Sequence, residues 1–119
     1  MRVLIIDDDQ EYLNFCTIIL TENGHDVVPC NHFVEGRRRL AREHFDALIA
    51  DVRLGDYNGL HLITLAAPSM TKIAMSSVLD IVICRDAERA GARFVLKPTD
   101  CASMSALLPP HLPAIGQFG

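Results

Sequence analysis

The sequence predicts a doubly wound α/β domain built on a five-stranded parallel sheet, and three observations predict it. Short aliphatic runs alternate with longer amphipathic stretches, and the exchange repeats five times. The runs Val3-Leu4-Ile5-Ile6 and Ala47-Leu48-Ile49-Ala50 are apolar throughout, as strands covered on both faces require. Right-handed crossovers between parallel strands leave few other arrangements of such units. A chain of 119 residues fits one domain, and 50% hydrophobic content excludes a disordered tail.

The elements follow in order. Val3-Leu4-Ile5-Ile6 is the first strand. From Gln10 to Asn23 the apolar residues Leu13, Cys16, Ile19 and Leu20 recur at helical spacing, and Asn23-Gly24 closes the helix as a C-cap pair. Residues 25–29 form a short strand. Residues 33–44 form a helix with Phe33, Leu40 and Ala41 inward and Arg37-Arg38-Arg39 outward as a solvated face. Ala47-Leu48-Ile49-Ala50 is the third strand, ending in Asp51, and a short helix over 60–66 is stopped by Pro68. Ile73-Ala74-Met75 is a strand, 79–90 a helix and Gly91 its cap. Phe94-Val95-Leu96 is the last strand, before Lys97-Pro98. A final short helix over about 100–108 completes the domain, 1–108, and a Pro-rich tail occupies 109–119.

Composition narrows the function. A net charge of −4 gives no strong overall pull toward nucleic acid or an anionic membrane, so neither is expected as a direct partner. Cys16, Cys30, Cys84 and Cys101 lie far apart with no C-x-x-C pair, as expected of reduced thiols in a cytoplasmic protein. The longest apolar runs span four residues, far below the roughly 18 that cross a bilayer. The five histidines show no metal-ligand spacing.

The chemistry lies in where the charged residues fall. Asp7 and Asp8 follow the first strand, Asp51 the third, Ser76 the fourth and Lys97 the fifth. An open α/β sheet binds its ligand at the carboxyl ends of the strands, so this order delivers three carboxylates, a hydroxyl and an ammonium to one edge. Singly, each Asp reads as a turn former or helix N-cap, Ser76 as a cap and Lys97 as a solvated charge. Together they form a site. Three converging carboxylates repel, Lys97 offsets one charge, and a hard divalent cation such as Mg²⁺ matches the remaining two. A carboxylate beside such an ion can attack phosphorus and form an aspartyl phosphate. Lys97 and the Ser76 hydroxyl would then stabilise the phosphoryl oxygens.

In these residues the chain resembles the response-regulator receiver domains of two-component signalling. The resemblance runs from Arg2 to about Leu108 and rests on VLIIDDD, ALIADVRLGDYNGL, KIAMSS and GARFVLKP in that order. It implies a flavodoxin-like (βα)5 fold with strand order 2-1-3-4-5. Asp51 would be the phosphoacceptor, with Gly59 eight residues on as the family pattern expects. Asp8, Asp51 and the backbone carbonyl of Arg53 would ligate Mg²⁺, with Asp7 acting through metal-bound water. A histidine kinase or phosphotransfer protein would donate the phosphoryl group. Ser76 and Phe94 would be the switch pair, and Pro98 would follow a cis bond that turns Lys97 inward. Arg53 and Val78 occupy positions that tune phosphoryl loss.

The chain also departs from that family. The stretch from Asp51 to Ser76 and that from Gly91 to Lys97 are short, Gly55 stands where proline is common, and the last helix stops at Pro109-Pro110. The fourth helix, fifth strand and fifth helix form the family's output face, so the output partner stays unassigned and a homodimer stays open. No output domain follows, as in a stand-alone receiver or a fragment of a longer protein. Three rival readings remain. A pseudo-receiver would keep the fold and bind partners without phosphorylation, though the acidic set is intact. An Mg²⁺-dependent phosphatase of the haloacid-dehalogenase type wants a second Asp two residues after its nucleophile, where this chain has Arg53. A flavin module wants a Ser/Thr/Gly-rich loop where Asp7-Asp8-Asp9 stand.

Overall fold

The structure is a computed structural model that describes residues 1–110; the predicted tail lies, from residue 111 on, outside them. In chain order the elements are β1 (Arg2–Ile6), α1 (Gln10–Glu22), β2 (Asp26–Cys30), α2 (Phe33–Arg42) and β3 (Ala47–Asp51), then β4 (Arg53–Leu54) and β5 (Tyr57–Asn58). α3 (Leu60–Leu65), β6 (Thr71–Ser76), α4 (Ile81–Arg89), β7 (Arg93–Leu96) and α5 (Cys101–Ser105) follow. The main sheet runs β2-β1-β3-β6-β7, all parallel, which is the predicted 2-1-3-4-5 order once the two-residue strands of a β4–β5 hairpin are set aside.

Alternation along the central strands explains the double winding. Val3, Ile5, Ala47, Ile49, Ile73 and Met75 face one side and pack with Leu13, Cys16 and Leu20 of α1 and Met104 of α5. Leu4, Ile6, Leu48, Ala50 and Ala74 face the other, against Phe33, Leu62, Ile63 and Ala87 from α2, α3 and α4. Each strand is thus covered on both faces, which is why its sequence is apolar without alternation.

Register carries the strand ends to one edge. Ile6 pairs with Ala50, Asp51 with Met75, and Ser76 with Leu96. Asp7 and Asp51 therefore stand level along the strand direction, Ser76 one residue further on and Lys97 two. The backbone continues this alignment past the strands: Asp7 N–H donates to the Cys30 carbonyl at 3.1 Å and Lys97 N–H to the Ser76 carbonyl at 2.9 Å.

Several expectations need correction. Ala41 is exposed, not inward; Phe33 and Gly36 are buried with Leu40 beside them, and Ala41 lies about 80° round the helix from Phe33. Arg39 is tied to Glu35 at 3.4 Å and Glu43 at 3.1 Å, whereas Arg37 and Arg38 are exposed as expected. α4 begins at Ile81 because the Asp80 carboxylate accepts from the Val82 and Ile83 amides at 2.9 and 3.3 Å, fixing Asp80 as the N-cap. α5 is shorter than predicted and ends at Ser105.

The bond before Pro98 is trans, against the expected cis bond, since no cis peptide occurs among the described residues. Lys97 is held instead by direct contacts: its backbone to Ser76 and its ammonium to two carboxylates. The trans form is also the lower-energy one for an X–Pro bond.

Candidate functional site

Each group at the sheet edge is placed by the end of a different element. Asp7 leaves β1, and its Oδ1 accepts the Asp9 amide at 2.9 Å. Asp9 in turn is the N-cap of α1, accepting the Tyr12 amide at 3.1 Å. Asp8 is exposed and accepts the Gly55 amide at 3.1 Å. Asp51 ends β3; its Oδ1 accepts the Arg53 amide at 3.1 Å and its Oδ2 accepts from Lys97 Nζ at 2.9 Å.

Lys97 bridges the two buried acids. Its Nζ lies 2.8 Å from Asp7 Oδ2 and 2.9 Å from Asp51 Oδ2, with the Asp7 side chain at 0% exposure, Asp51 at 7% and Lys97 at 13%. Asp7 Oδ2 is sealed from water and meets Lys97 as an ion pair without an aligned hydrogen bond, so part of its accepting capacity is unspent. Burial pushes the Asp7 carboxyl above its ordinary range and the charge on Asp51 adds to that, while Lys97 and the Asp9 amide offset only part. For Lys97, burial pulls downward, but the contacts to Asp7 and Asp51 outweigh it and raise the ammonium above the usual lysine value.

The donor set fits a divalent cation. One carboxylate oxygen from each of Asp7, Asp8 and Asp51 lies within 4.8 Å of the others. Three charges of −1 against one of +1 leave −2, and every donor is a hard oxygen of the kind Mg²⁺ prefers. Asp8 opens this set to solvent, whereas Asp7 and Asp51 are buried.

The remaining predicted residues fall as follows. Ser76 is buried at the end of β6, its Oγ accepting the Val78 amide at 3.1 Å. Phe94 is half-buried on β7 and packs on the core shared with α4. Arg53 and Val78 are exposed. Gly59 packs directly on the site: a Cβ there would collide with the Asp51 carbonyl oxygen.

Two features escaped the sequence reading. The first is the hairpin, which the Gly55 amide ties to Asp8. Gly55 has φ +60°, which proline cannot adopt, and it donates an N–H that proline lacks, so this departure from the family pattern is built into the site. The second is Tyr12, whose ring centroid lies 4.8 Å from Lys97 Nζ and whose hydroxyl donates to the Pro98 carbonyl at 2.6 Å. Its signal was an aromatic residue three positions past a helix N-cap at the acidic edge.

Comparison with known proteins agrees with this geometry. A sequence model described as the response regulator receiver domain matches residues 3–108. The alginate biosynthesis transcriptional regulatory protein AlgB of Pseudomonas putida is 31% identical over 101 residues, 82% of this chain and 22% of that protein. The chain thus spans about a fifth of the length of that curated relative. Among solved structures, a CheY-like response regulator receiver domain protein from Methanospirillum hungatei superposes with a TM-score of 0.81 at 28% identity, covering 87% of this chain and 86% of that one. A response regulator from Burkholderia pseudomallei, solved with a phosphorylated aspartic acid, a calcium ion and citrate, gives 0.80 at 25% identity over 90% of this chain and 65% of that one. The match to 3–108 takes in every element from β1 to α5, and on that extent the chain belongs to the response regulator receiver domain family.

Proposed function

We propose that this chain is a phosphoacceptor switch in which Asp51 takes a phosphoryl group from the histidine of a kinase or phosphotransfer protein, with Mg²⁺ held by Asp8, Asp51 and the Arg53 carbonyl and by Asp7 through metal-bound water. The observation that carries the reading is the Lys97 ammonium between Asp7 and Asp51, at 2.8 and 2.9 Å, beside a three-carboxylate cluster. An oxygen of Asp51 bonds to phosphorus as the P–N bond of the phosphohistidine breaks and the imidazole leaves. Lys97 neutralises the acids before transfer and faces the phosphoryl oxygens after it. When bound, Mg²⁺ supplies positive charge to the same oxygens. The phosphorylated aspartic acid and calcium ion of the Burkholderia relative support this assignment.

Ser76 and Phe94 are the proposed switch. Ser76 Oγ already accepts from Val78 N–H, so its own hydroxyl hydrogen is free to turn to a phosphoryl oxygen on Asp51. Phe94 is one strand away on the α4 side of the sheet, where a shift of Ser76 is felt. The readout surface lies beyond it. Leu79, Ile81 and Val82 at the start of α4 are each 65% exposed, and Leu96 on the same face of β7 is 49% exposed. An output partner, or a second copy of the chain, covers this surface in the signalling state.

The test is intact mass after incubation with acetyl phosphate and Mg²⁺, for wild type and Asp51→Asn. Wild type gains one phosphoryl adduct that chelator prevents, and Asp51→Asn gains none. A folded wild type that takes no adduct from acetyl phosphate or from a panel of histidine kinases returns the pseudo-receiver reading.

Phosphoryl loss is slow on the same reading. Val78 offers no side-chain hydrogen bond to orient an attacking water, and the long side chain of Arg53, two residues after Asp51, is exposed. The expected half-life in purified protein is on the order of minutes or longer, and Val78→Asn shortens it severalfold. A wild-type half-life of seconds overturns this account.

A further inference from the structure

A lysine side chain has four flexible methylenes and a strongly hydrated head, so holding its ammonium over two carboxylates requires more than charge. Lys97 is braced at both ends by one residue of α1. The face of the Tyr12 ring stands 4.8 Å from Nζ, within cation–π range, and the Tyr12 hydroxyl donates to the backbone carbonyl of Pro98, the next residue, at 2.6 Å. Tyr12 is itself fixed from two sides. Its amide donates to the N-cap Asp9 at 3.1 Å, and its ring tilts at 43° against Phe15 with centroids 5.8 Å apart. Asp9 N–H donates to Asp7 Oδ1, so the loop that starts α1 sets the position of Asp7 and of Tyr12 together. Burial, reinforced by Cys16 beneath it, pushes the Tyr12 phenol upward, so the hydroxyl remains a donor at any working pH.

Resting on the phosphoacceptor reading above, we propose that Tyr12 is a positioning residue: its ring face and its hydroxyl hold Lys97 in place to meet a phosphoryl group arriving at Asp51. Tyr12 touches neither the acidic oxygens nor the incoming group; it acts through Lys97. The bland alternative is that Tyr12 only fills the end of the core between α1 and the segment after β7. The two accounts differ in what a substitution does. A core filler changes stability and leaves the chemistry of folded protein alone. A positioning residue changes the rate of transfer while leaving the carboxylates, and so the divalent affinity, as they were.

The experiment compares wild type, Tyr12→Phe and Tyr12→Leu at a temperature where all are folded, with Tyr12→Met in place of the leucine variant should that one not fold. The initial rate of adduct formation with acetyl phosphate and Mg²⁺ is read by intact mass, and Mg²⁺ affinity by calorimetry. Tyr12→Leu is expected to lose roughly tenfold in rate, equivalent to about 1.4 kcal/mol, with Mg²⁺ affinity within about twofold of wild type. Tyr12→Phe keeps the ring and is expected to fall only about two- to threefold, from the lost hydroxyl contact. A leucine variant at the wild-type rate overturns the proposal. So does an equal loss in both variants, which would deny the ring a role, or a loss of rate matched by a loss of Mg²⁺ affinity. Should wild type take no phosphoryl group, the phosphoacceptor reading fails by itself. The Lys97 ammonium is then followed by ¹⁵N NMR in the same three proteins. Faster hydrogen exchange in Tyr12→Leu supports the bracing, and exchange unchanged from wild type overturns it.

Discussion

Lys97→Met is expected to destabilise the cation-free protein by about 3 kcal/mol, since it removes the only ammonium that pairs with Asp7 and Asp51 among the described residues and leaves both acids buried against each other. Methionine preserves the stem volume, so the loss reports charge rather than packing. The deficit carries a pH signature whose sign follows from Asp7. Burial already holds that carboxyl above its ordinary range, and Lys97 is one of the groups that lower it. Without the lysine, folded Asp7 binds a proton more readily than the unfolded chain does. Stability in the variant therefore rises as pH falls through the folded pKa toward the unfolded one, and the deficit is larger at about pH 8 than at about pH 5. Mg²⁺ should raise the midpoint of the variant more than that of wild type, because the ion then supplies the only positive charge to the cluster. Urea denaturation at the two pH values, with chelator and with Mg²⁺, reads all three effects. A variant equal to wild type in chelator at about pH 8 would show that the pair does not depend on Lys97 for its charge balance.

Much of the fold was legible because four of the five strands of the main sheet, β1, β3, β6 and β7, carry an apolar run with a charged or hydroxyl residue at its end, and the run and its end mean the same thing at two levels. Val3 to Ile6 had to be buried on both faces, and an element so buried in a parallel sheet delivers the residue after it to the ligand edge. The same reasoning puts Asp7, Asp51, Ser76 and Lys97 at one edge of the sheet, where the strand register also sets them. Their chemical roles remain proposals.

What escaped the sequence was side-chain reach and short-range turn chemistry. Phe45 sits in what reads as a loop, yet it is among the largest fully buried side chains, with the Arg2 guanidinium 4.6 Å over its ring. Two-residue strands such as β4 and β5 are too short for any periodicity to mark. The stacking of Tyr57 on Phe33, at 4.5 Å and 2°, joins residues 24 apart that no local pattern links. Tyr12 belongs with these: its spacing fits an ordinary helix, and only the folded chain shows Lys97 under its ring.

Gly59 shows a glycine whose need is space rather than conformation. Its φ of −62° is ordinary helical backbone that any residue adopts. Its N–H donates to the Val52 carbonyl at 2.8 Å, which draws the start of α3 tightly onto the end of β3. A Cβ there would meet the Asp51 carbonyl oxygen and lie 2.9 Å from the Asp51 carbonyl carbon and 3.3 Å from Val52 Cα. All three are backbone atoms of the segment that carries Asp51, so no side chain can swing aside to relieve the clash. Either α3 lifts off Asp51 or the end of β3 is displaced. Gly59→Ala is accordingly expected to cost about 2–3 kcal/mol by urea denaturation and to weaken Mg²⁺ binding, because Asp51 moves against Asp7 and Asp8. Gly55→Ala is the control. Its φ of +60° strains an alanine, but nothing lies within 4 Å of the added methyl and the N–H to Asp8 is kept, so the expected cost is only about 1 kcal/mol. If the two variants were equally stable, the tight seat of α3 on β3 would not be what holds Asp51. If Gly59→Ala alone lost both stability and Mg²⁺, the Asp51 carboxylate would be set in place by the absence of one methyl group.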